Sequence, residues 1–265
     1  MGIDINGTKL RILIYADDIT ILANNTEELK EMTEKVEEAT KRIGLRLNKE
    51  KTCWMGNVEG VLRIQNLEIQ KTEKCKYLGQ TLTFPNEHSE EIKDRIRSGW
   101  CKFQEVKWLL MNKKTPTSLK AKYYKMCIEP ALLYGAETWA WTKADRIKLS
   151  RSQKKMERMM CNVKLRWGIR SKRIRRWTGL DEVVVKATER KWKFGRSVVK
   201  MPEDRWERKI TTWKPDGKRP IGRPRTRWQD ETRKKVGIDW MEAEDGRWQE
   251  ALRHYTEEIK DYCHI

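Results

Sequence analysis

A mixed α+β fold is predicted, strand-rich in its first third and helical beyond it. Two observations predict it. Residues 10–14 and 19–23 are short β-branched runs flanking an acidic tetrapeptide, Tyr15-Ala16-Asp17-Asp18, which is the pattern of a tight β-hairpin. From residue 84 onward, apolar residues recur at three- and four-residue intervals, the helical period. Charge is also segregated. Residues 1–90 carry 13 Lys+Arg against 15 Asp+Glu, whereas residues 91–265 carry 45 against 24, a net of +21, together with twelve of the thirteen tryptophans.

Residues 1–83 form the strand-rich part. Gly2-Ile3-Asp4-Ile5-Asn6-Gly7 reads as a strand and turn leading into the acidic hairpin. At the tip of that hairpin, two adjacent carboxylates repel each other unless positive charge lies near. A divalent cation answers that need, because hard ions such as magnesium take carboxylate oxygens and leave room for phosphate. The plainer alternative is an ordinary solvated Asp-Asp turn. Asn25 then caps a helix, with Glu28 three residues on, as in a capping box. Leu29, Met32, Val36, Ala39 and Ile43 follow as a core-facing stripe, and Gly44 stops it. Short strands or hairpins are expected at 45–47, 52–55, 61–64 and 77–83.

Residues 84–168 read as a helical bundle. Pro85-Asn86-Glu87-His88 opens a helix reaching residue 112, with Ile92, Ile96, Trp100, Phe103, Val106 and Leu110 on one face and His88 as a capping or surface group. A second helix starts at Pro116 and Ser118, turns Leu119, Tyr123, Met126 and Cys127 inward, and ends at Pro130. A third, from Lys143, carries Ile147, Leu149, Met156, Met159 and Met160.

Residues 169–265 read as a separate basic region. Arg170, Lys172, Arg173, Arg175 and Arg176 fall within one or two turns, Thr178-Gly179-Leu180 breaks the run, and Asp181 caps a helix through Val199. The stretch 214–227 is a Pro-, Gly- and Arg-rich loop carrying Lys218, Arg219, Arg223, Arg225 and Arg227. Within it, Gly222-Arg223-Pro224 resembles the core of an AT-hook, which lies extended in narrow A·T minor grooves, although Ile221 stands where the hook has arginine. The other reading is a basic inter-helix loop touching phosphates. Two last helices, 226–236 and 241–261, present Trp228, Trp240, Trp248, Leu252 and Tyr255 for mutual packing.

Composition bounds the function. Hydrophobic residues make up 38% and charged residues 37%, too patterned for a disordered chain. No apolar run approaches the roughly 20 residues of a membrane span, and no signal peptide opens the chain, so a nuclear or cytoplasmic, non-secreted protein is expected. Six cysteines at 53, 75, 101, 127, 161 and 263 form no Cys-x-x-Cys pair, which favours reduced thiols over a disulfide frame. A zinc site at Cys263, His264 and His254 is disfavoured, and neither an internal repeat nor a Walker-type phosphate loop is found. The net charge of +21 on one part favours a nucleic-acid partner, with phosphates met by cations and bases by aromatic faces. For most individual tryptophans, the expectation is a core anchor.

Tyr15-Ala16-Asp17-Asp18 between two apolar strands resembles the polymerase active-site hairpin of reverse transcriptases, and more narrowly the palm of LINE-type (non-LTR) retrotransposons. Later motifs resemble that family in order. Asn48-Lys49-Glu50-Lys51-Thr52 falls where it has an Asn-x-x-Lys-Thr segment, and Tyr77-Leu78-Gly79 where it has a primer grip. Pro130-Ala131-Leu132-Leu133-Tyr134-Gly135-Ala136-Glu137-Thr138-Trp139 and Gly222-Arg223-Pro224 with Arg227-Trp228 are similar to the C-terminal part of such elements.

The resemblance implies a partial palm over 1–83, a thumb over 84–168 lying along a template–primer of RNA and DNA, and a basic C-terminal region over 169–265. It implies Asp17 and Asp18 as magnesium ligands, Lys51 near the incoming nucleotide, Tyr15 positioning the primer end, and Tyr77, Leu78 and Gly79 gripping it. Two-metal phosphoryl transfer takes ligands from more than one strand, and in that family a further aspartate comes from an earlier palm strand. Here Asp4 is the sole acid before Tyr15, and it lies in the lead-in strand. The expectation is a C-terminal fragment, inactive alone and completed by an upstream polymerase segment. A non-catalytic RNA- or DNA-binding remnant is the alternative. A decayed element whose unpaired palm edges favour aggregation is a third.

Overall fold

In the computed structural model, which describes residues 1–64, 67–85, 87–214 and 226–262, every strand pairs with its sequence neighbour and with no other. The strands are β1 (Ile3–Ile5), β2 (Thr8–Leu10), β3 (Ile12–Tyr15), β4 (Asp18–Ile21), β5 (Leu62–Ile64), β6 (Leu67–Ile69), β7 (Lys74–Tyr77) and β8 (Gln80–Thr83), forming four separate two-stranded antiparallel sheets among the described residues. The helices are α1 (Thr26–Arg42), α2 (His88–Glu105), α3 (Lys107–Leu110), α4 (Thr117–Tyr123), α5 (Glu129–Leu133), α6 (Lys143–Met160), α7 (Ser171–Thr178), α8 (Val183–Val199), α9 (Trp206–Thr212), α10 (Asp230–Lys235) and α11 (Asp245–Tyr262). Mixed α and β structure, as the sequence predicts, is what the chain adopts. None of these helices is long and apolar enough to cross a membrane. The chain divides into two units, residues 1–87 with 203–216, and residues 88–202 with 217–265.

In the first unit, local turn chemistry sets each hairpin. Asn6-Gly7 closes β1–β2 with φ of 51° and 80°, and Leu78-Gly79 closes β7–β8 with 48° and 76°, the paired positive φ that lets a two-residue turn follow the strand twist. The α1 cap is Asn25, whose side chain accepts the Glu28 N–H at 2.8 Å. Glu28 reaches back one residue beyond the expected box and accepts from the Asn24 N–H at 2.9 Å. The predicted α1 stripe is buried only at its start. Met32 is buried and Leu29 packs on Trp54, Leu62, Ile64 and Ile69, but Ala39 is exposed and Ile43 is 73% exposed. The hairpin core is too small to cover five turns of helix.

Residues 45–47 form no strand, and 52–55 contribute a single bridge from Trp54 to Lys71. Helix α9, which the sequence reading does not anticipate, docks on β1–β2. Asn6 Nδ2 donates to the Lys209 carbonyl (3.4 Å) and to Thr212 Oγ1 (3.3 Å), and Lys209 Nζ donates to Thr8 Oγ1 (3.1 Å).

The second unit is helical around one hydrophobic core that draws on both 84–168 and 169–265. Ile92, Phe103 and Leu132 meet Leu149 and Met156 of α6 and Val184 and Trp192 of α8 there. Trp192 lies 5.8 Å from Trp248 and 5.7 Å from Tyr255, and Trp240 lies 5.8 Å from Trp248, ring centre to ring centre, so these indoles are core anchors. The helix expected to run unbroken to residue 112 divides at Val106 into α2 and α3.

The helix expected to end at Pro130 continues to Leu133. Pro130 lacks an N–H and its ring would press on the carbonyl four residues back, and the π-helical turn Tyr124–Ile128 just before it relieves that conflict. That change of register accompanies an exposed Met126 (63%), and Leu119 is 40% exposed, where both were expected inward. Asp181 does not cap α8. The Val183 N–H instead donates to Oε1 of the buried Gln153 at 2.7 Å, and Gln153 Nε2 donates to the Asp181 carbonyl at 2.6 Å, because this helix start is buried against α6.

Gly99 of α2 is where Leu132 of α5 approaches most closely. A Cβ there would stand 2.4 Å from Leu132 Cδ2. Gly99→Ala is expected to cost about 1–3 kcal/mol by overpacking, read as a lowered thermal midpoint, despite alanine's better helix propensity.

Candidate functional site

The β3–β4 register pairs Ile12 with Ile21, Ile14 with Ile19 and Tyr15 with Asp18, leaving Ala16-Asp17 as a two-residue turn. Ala16 has φ of 51°, a left-handed conformation that glycine usually supplies. Asp17 and Asp18 are both exposed at this tip, and the hairpin also exposes Ile14 (69%) and Tyr15 (65%). Among the described residues, no cluster of three or more His, Cys, Asp or Glu forms that could hold a metal. Asp4 is occupied elsewhere, its Oδ1 accepting the Gly7 N–H at 2.8 Å within the β1–β2 turn. Magnesium is commonly held by one or two carboxylates with waters and phosphates filling its other positions, so Asp17 and Asp18 suit one such ion, whereas a two-metal site takes carboxylates from a further strand.

The remaining hairpin-side residues have local roles. Asn48 Oδ1 accepts the Glu50 and Lys51 N–H groups (3.0 and 3.1 Å), and Thr52 Oγ1 donates to the Asn48 carbonyl (2.7 Å). The Asn-x-x-Lys-Thr segment is thus a self-capped turn, as Asn and Thr favour, and it leaves Lys51 exposed. Tyr77 ends β7 half-buried, and Leu78-Gly79 is the β7–β8 turn rather than part of a strand. No hydrogen bond or ion pair joins Lys51 or Tyr77 to the aspartates among the described residues.

The basic residues divide sharply. On α7, Ile174 and Thr178 are buried, while Arg170 before it and Lys172, Arg173 and Arg176 on it are exposed. Arg173 sets its guanidinium 5.4 Å from the ring centre of Trp177. Arg175 lies differently. It turns inward and pairs with Glu157 (3.2 Å) and with Glu182, both buried, so it anchors α7 instead of adding to the cationic face. Burial pushes the Glu157 carboxyl up to about 7, offset only in part by Arg175, because one guanidinium serves two carboxylates. Arg227 is half-buried and its N–H donates to Asp230 at 2.7 Å. Lys218, Arg219, Arg223 and Arg225, the AT-hook-like triplet, and Cys263 and His264 lie outside the described residues.

Residues 3–82, which hold both the acidic hairpin and the Tyr77 turn, match the family model of reverse transcriptase (RNA-dependent DNA polymerase). That stretch is similar to reverse transcriptases. A transposon-derived protein of Caenorhabditis elegans is 25% identical to it over 246 residues, 88% of this chain and 87% of that one. A Drosophila melanogaster protein bearing the name of an RNA-directed DNA polymerase from transposon BS is 28% identical over 146 residues, 49% of this chain and 16% of that protein. No solved structure matches. Asp17, Asp18, Lys51 and Tyr77 lie inside the matched stretch and the cations of α7 outside it.

Proposed function

We propose that this chain is the C-terminal part of a LINE-type retrotransposon RNA-directed DNA polymerase, bringing the acidic hairpin and a thumb-like, cationic helical unit to an RNA–DNA template–primer. The observation that carries this is the Tyr15-Ala16-Asp17-Asp18 tip, with both carboxylates exposed on a two-residue turn inside the reverse-transcriptase match. Asp17 and Asp18 are the catalytic acids of this reading. Lys51 neutralises charge near the nucleotide, Tyr15 positions the primer end, and Tyr77, Leu78 and Gly79 grip it. Arg170, Lys172, Arg173 and Arg176 bind nucleic acid, with Lys218, Arg219, Arg223, Arg225 and Arg227 as further candidates. Among the described residues no third acid joins the two carboxylates, and Ile14 and Tyr15 of β3 are exposed. Both features support the need for an upstream palm segment.

The test fuses the chain to the palm and fingers of a related element and measures extension of a primed RNA template. The 265 residues alone are expected to extend nothing, the fusion to extend, and Asp17→Asn with Asp18→Asn to abolish extension. A double variant that keeps its rate would sink the catalytic assignment. A fusion that binds template without extending it would favour the second reading, a non-catalytic nucleic-acid-binding remnant. That reading draws on the same incomplete donor set.

A further inference from the structure

Residues 164–177 contain seven Lys and Arg and no acidic residue. Elsewhere in the same unit many cations meet carboxylates, as Lys186 does with Glu129, Arg196 and Lys200 with Asp245, and Lys235 with Glu258. In this segment Arg175 alone does so. Lys164, Arg166, Arg170, Lys172 and Arg176 are exposed with no carboxylate partner among the described residues. The backbone beneath them is fixed, since Arg158 of α6 donates to the Ile169 carbonyl at 2.7 Å and Arg175 ties α7 to Glu157.

Two large aromatics stand among these cations. Trp167 is 52% exposed and Trp177 is 44% exposed, and of the thirteen tryptophans only Trp108 shares that status. Arg173 and Trp177 are four residues apart on α7 and in contact at 5.4 Å, and Lys172 and Arg176 have the same spacing beside them. An indole capped by a guanidinium and still open to solvent is a stacking platform. Every nucleobase has a face to offer it, while flanking cations meet the phosphates on either side. Bases inside a duplex are already stacked on one another, so the fitting ligand has unpaired bases. A basic helix with tryptophan also suits an anionic membrane surface, but Ile174, the one aliphatic residue of α7, is buried and leaves the helix no aliphatic stripe to insert, the exposed Leu165 standing outside it.

We propose that Arg173 and Trp177 form a stacking site for an unpaired nucleobase of single-stranded RNA or DNA, with Arg170, Lys172 and Arg176 holding the adjacent phosphates. This rests on the nucleic-acid-binding reading above. The test uses the full chain and measures anisotropy of a labelled single-stranded oligonucleotide, a duplex of equal length, and phosphatidylserine vesicles. Trp177→Ala is expected to weaken single-strand binding about tenfold and to leave duplex binding unchanged, with Trp177→Phe restoring most of the loss. A combined Lys172→Gln and Arg176→Gln variant weakens both and flattens the salt dependence. Equal effects of Trp177→Ala on single strand and duplex, or none on either, would overturn the stacking site while leaving nucleic-acid binding intact. A wild-type chain that binds neither oligonucleotide removes the underlying reading as well. Loss confined to vesicles makes the surface a membrane contact and overturns the proposal.

Discussion

Glu231→Ala is expected to lower the free energy of unfolding by about 3–5 kcal/mol, the usual cost of leaving a buried charge without its partner. One carboxylate oxygen of Glu231 accepts from Trp141 Nε1 (3.2 Å), Arg146 Nη2 (2.9 Å) and Lys191 Nζ (3.1 Å), which joins α10 to α6, to α8 and to the segment before α6. The Lys191 side chain is only 2% exposed. Burial pushes the Glu231 carboxyl up, but Lys191 and Arg146 more than offset it and hold it below the usual carboxylate range. Burial holds Lys191 below the ordinary lysine value even with Glu231 beside it.

Without Glu231 the lysine is depressed further, and the unfolded chain then binds more protons than the folded one. Stability of the variant therefore rises toward alkaline pH as Lys191 neutralises. Denaturant midpoints at neutral and alkaline pH, with unchanged slopes, check this. Adding Lys191→Met to Glu231→Ala should recover part of the loss. A single variant within 1 kcal/mol of the parent would mean that solvent reaches the site and pairing matters little.

What could be read from the sequence was local, and what could not was tertiary. The acidic hairpin was legible because a two-residue turn between β-branched runs is specified within ten residues. The Asn25 cap was legible for the same reason, as were the starts of α2 and α6. The docking of α9 on Asn6 spans 203 residues, and nothing near either partner announces it. Gln153 caps a helix 30 residues downstream, a role that no local pattern assigns to glutamine. Met126 carried helical spacing and was still exposed beside a π-helical turn. The candidate site divides along the same line. Asp17 and Asp18 are legible as a pair, whereas in the sequence Arg175 is one cation among five, and only the fold sets Glu157 and Glu182 against it. The charge of a run is written in its composition, but which member turns inward depends on carboxylates from α6 and the start of α8.

Arg175→Met is expected to cost about 3–5 kcal/mol near neutral pH, because it strands two carboxylates at 1% and 3% side-chain exposure. The loss depends on pH with a definite sign. With the Glu157 carboxyl raised from 4.5 to about 7 in the folded chain, the native state holds more protons than the unfolded state between those values. Its contribution is fully present below about 4.5 and is lost as pH rises through about 7. The parent should lose stability on this account across that window, and Glu157→Gln should flatten the slope. Arg175→Met should steepen it, since no guanidinium remains to support either charge. Thermal midpoints at pH 5 and pH 8 separate the three. The same variant also separates anchoring from contact. If Arg175 only anchors α7, the folded Arg175→Met protein at pH 5 keeps its nucleic-acid affinity, whereas Arg176→Gln loses affinity without losing stability. An Arg175→Met protein that is stable at both pH values but binds poorly would return Arg175 to the cationic face.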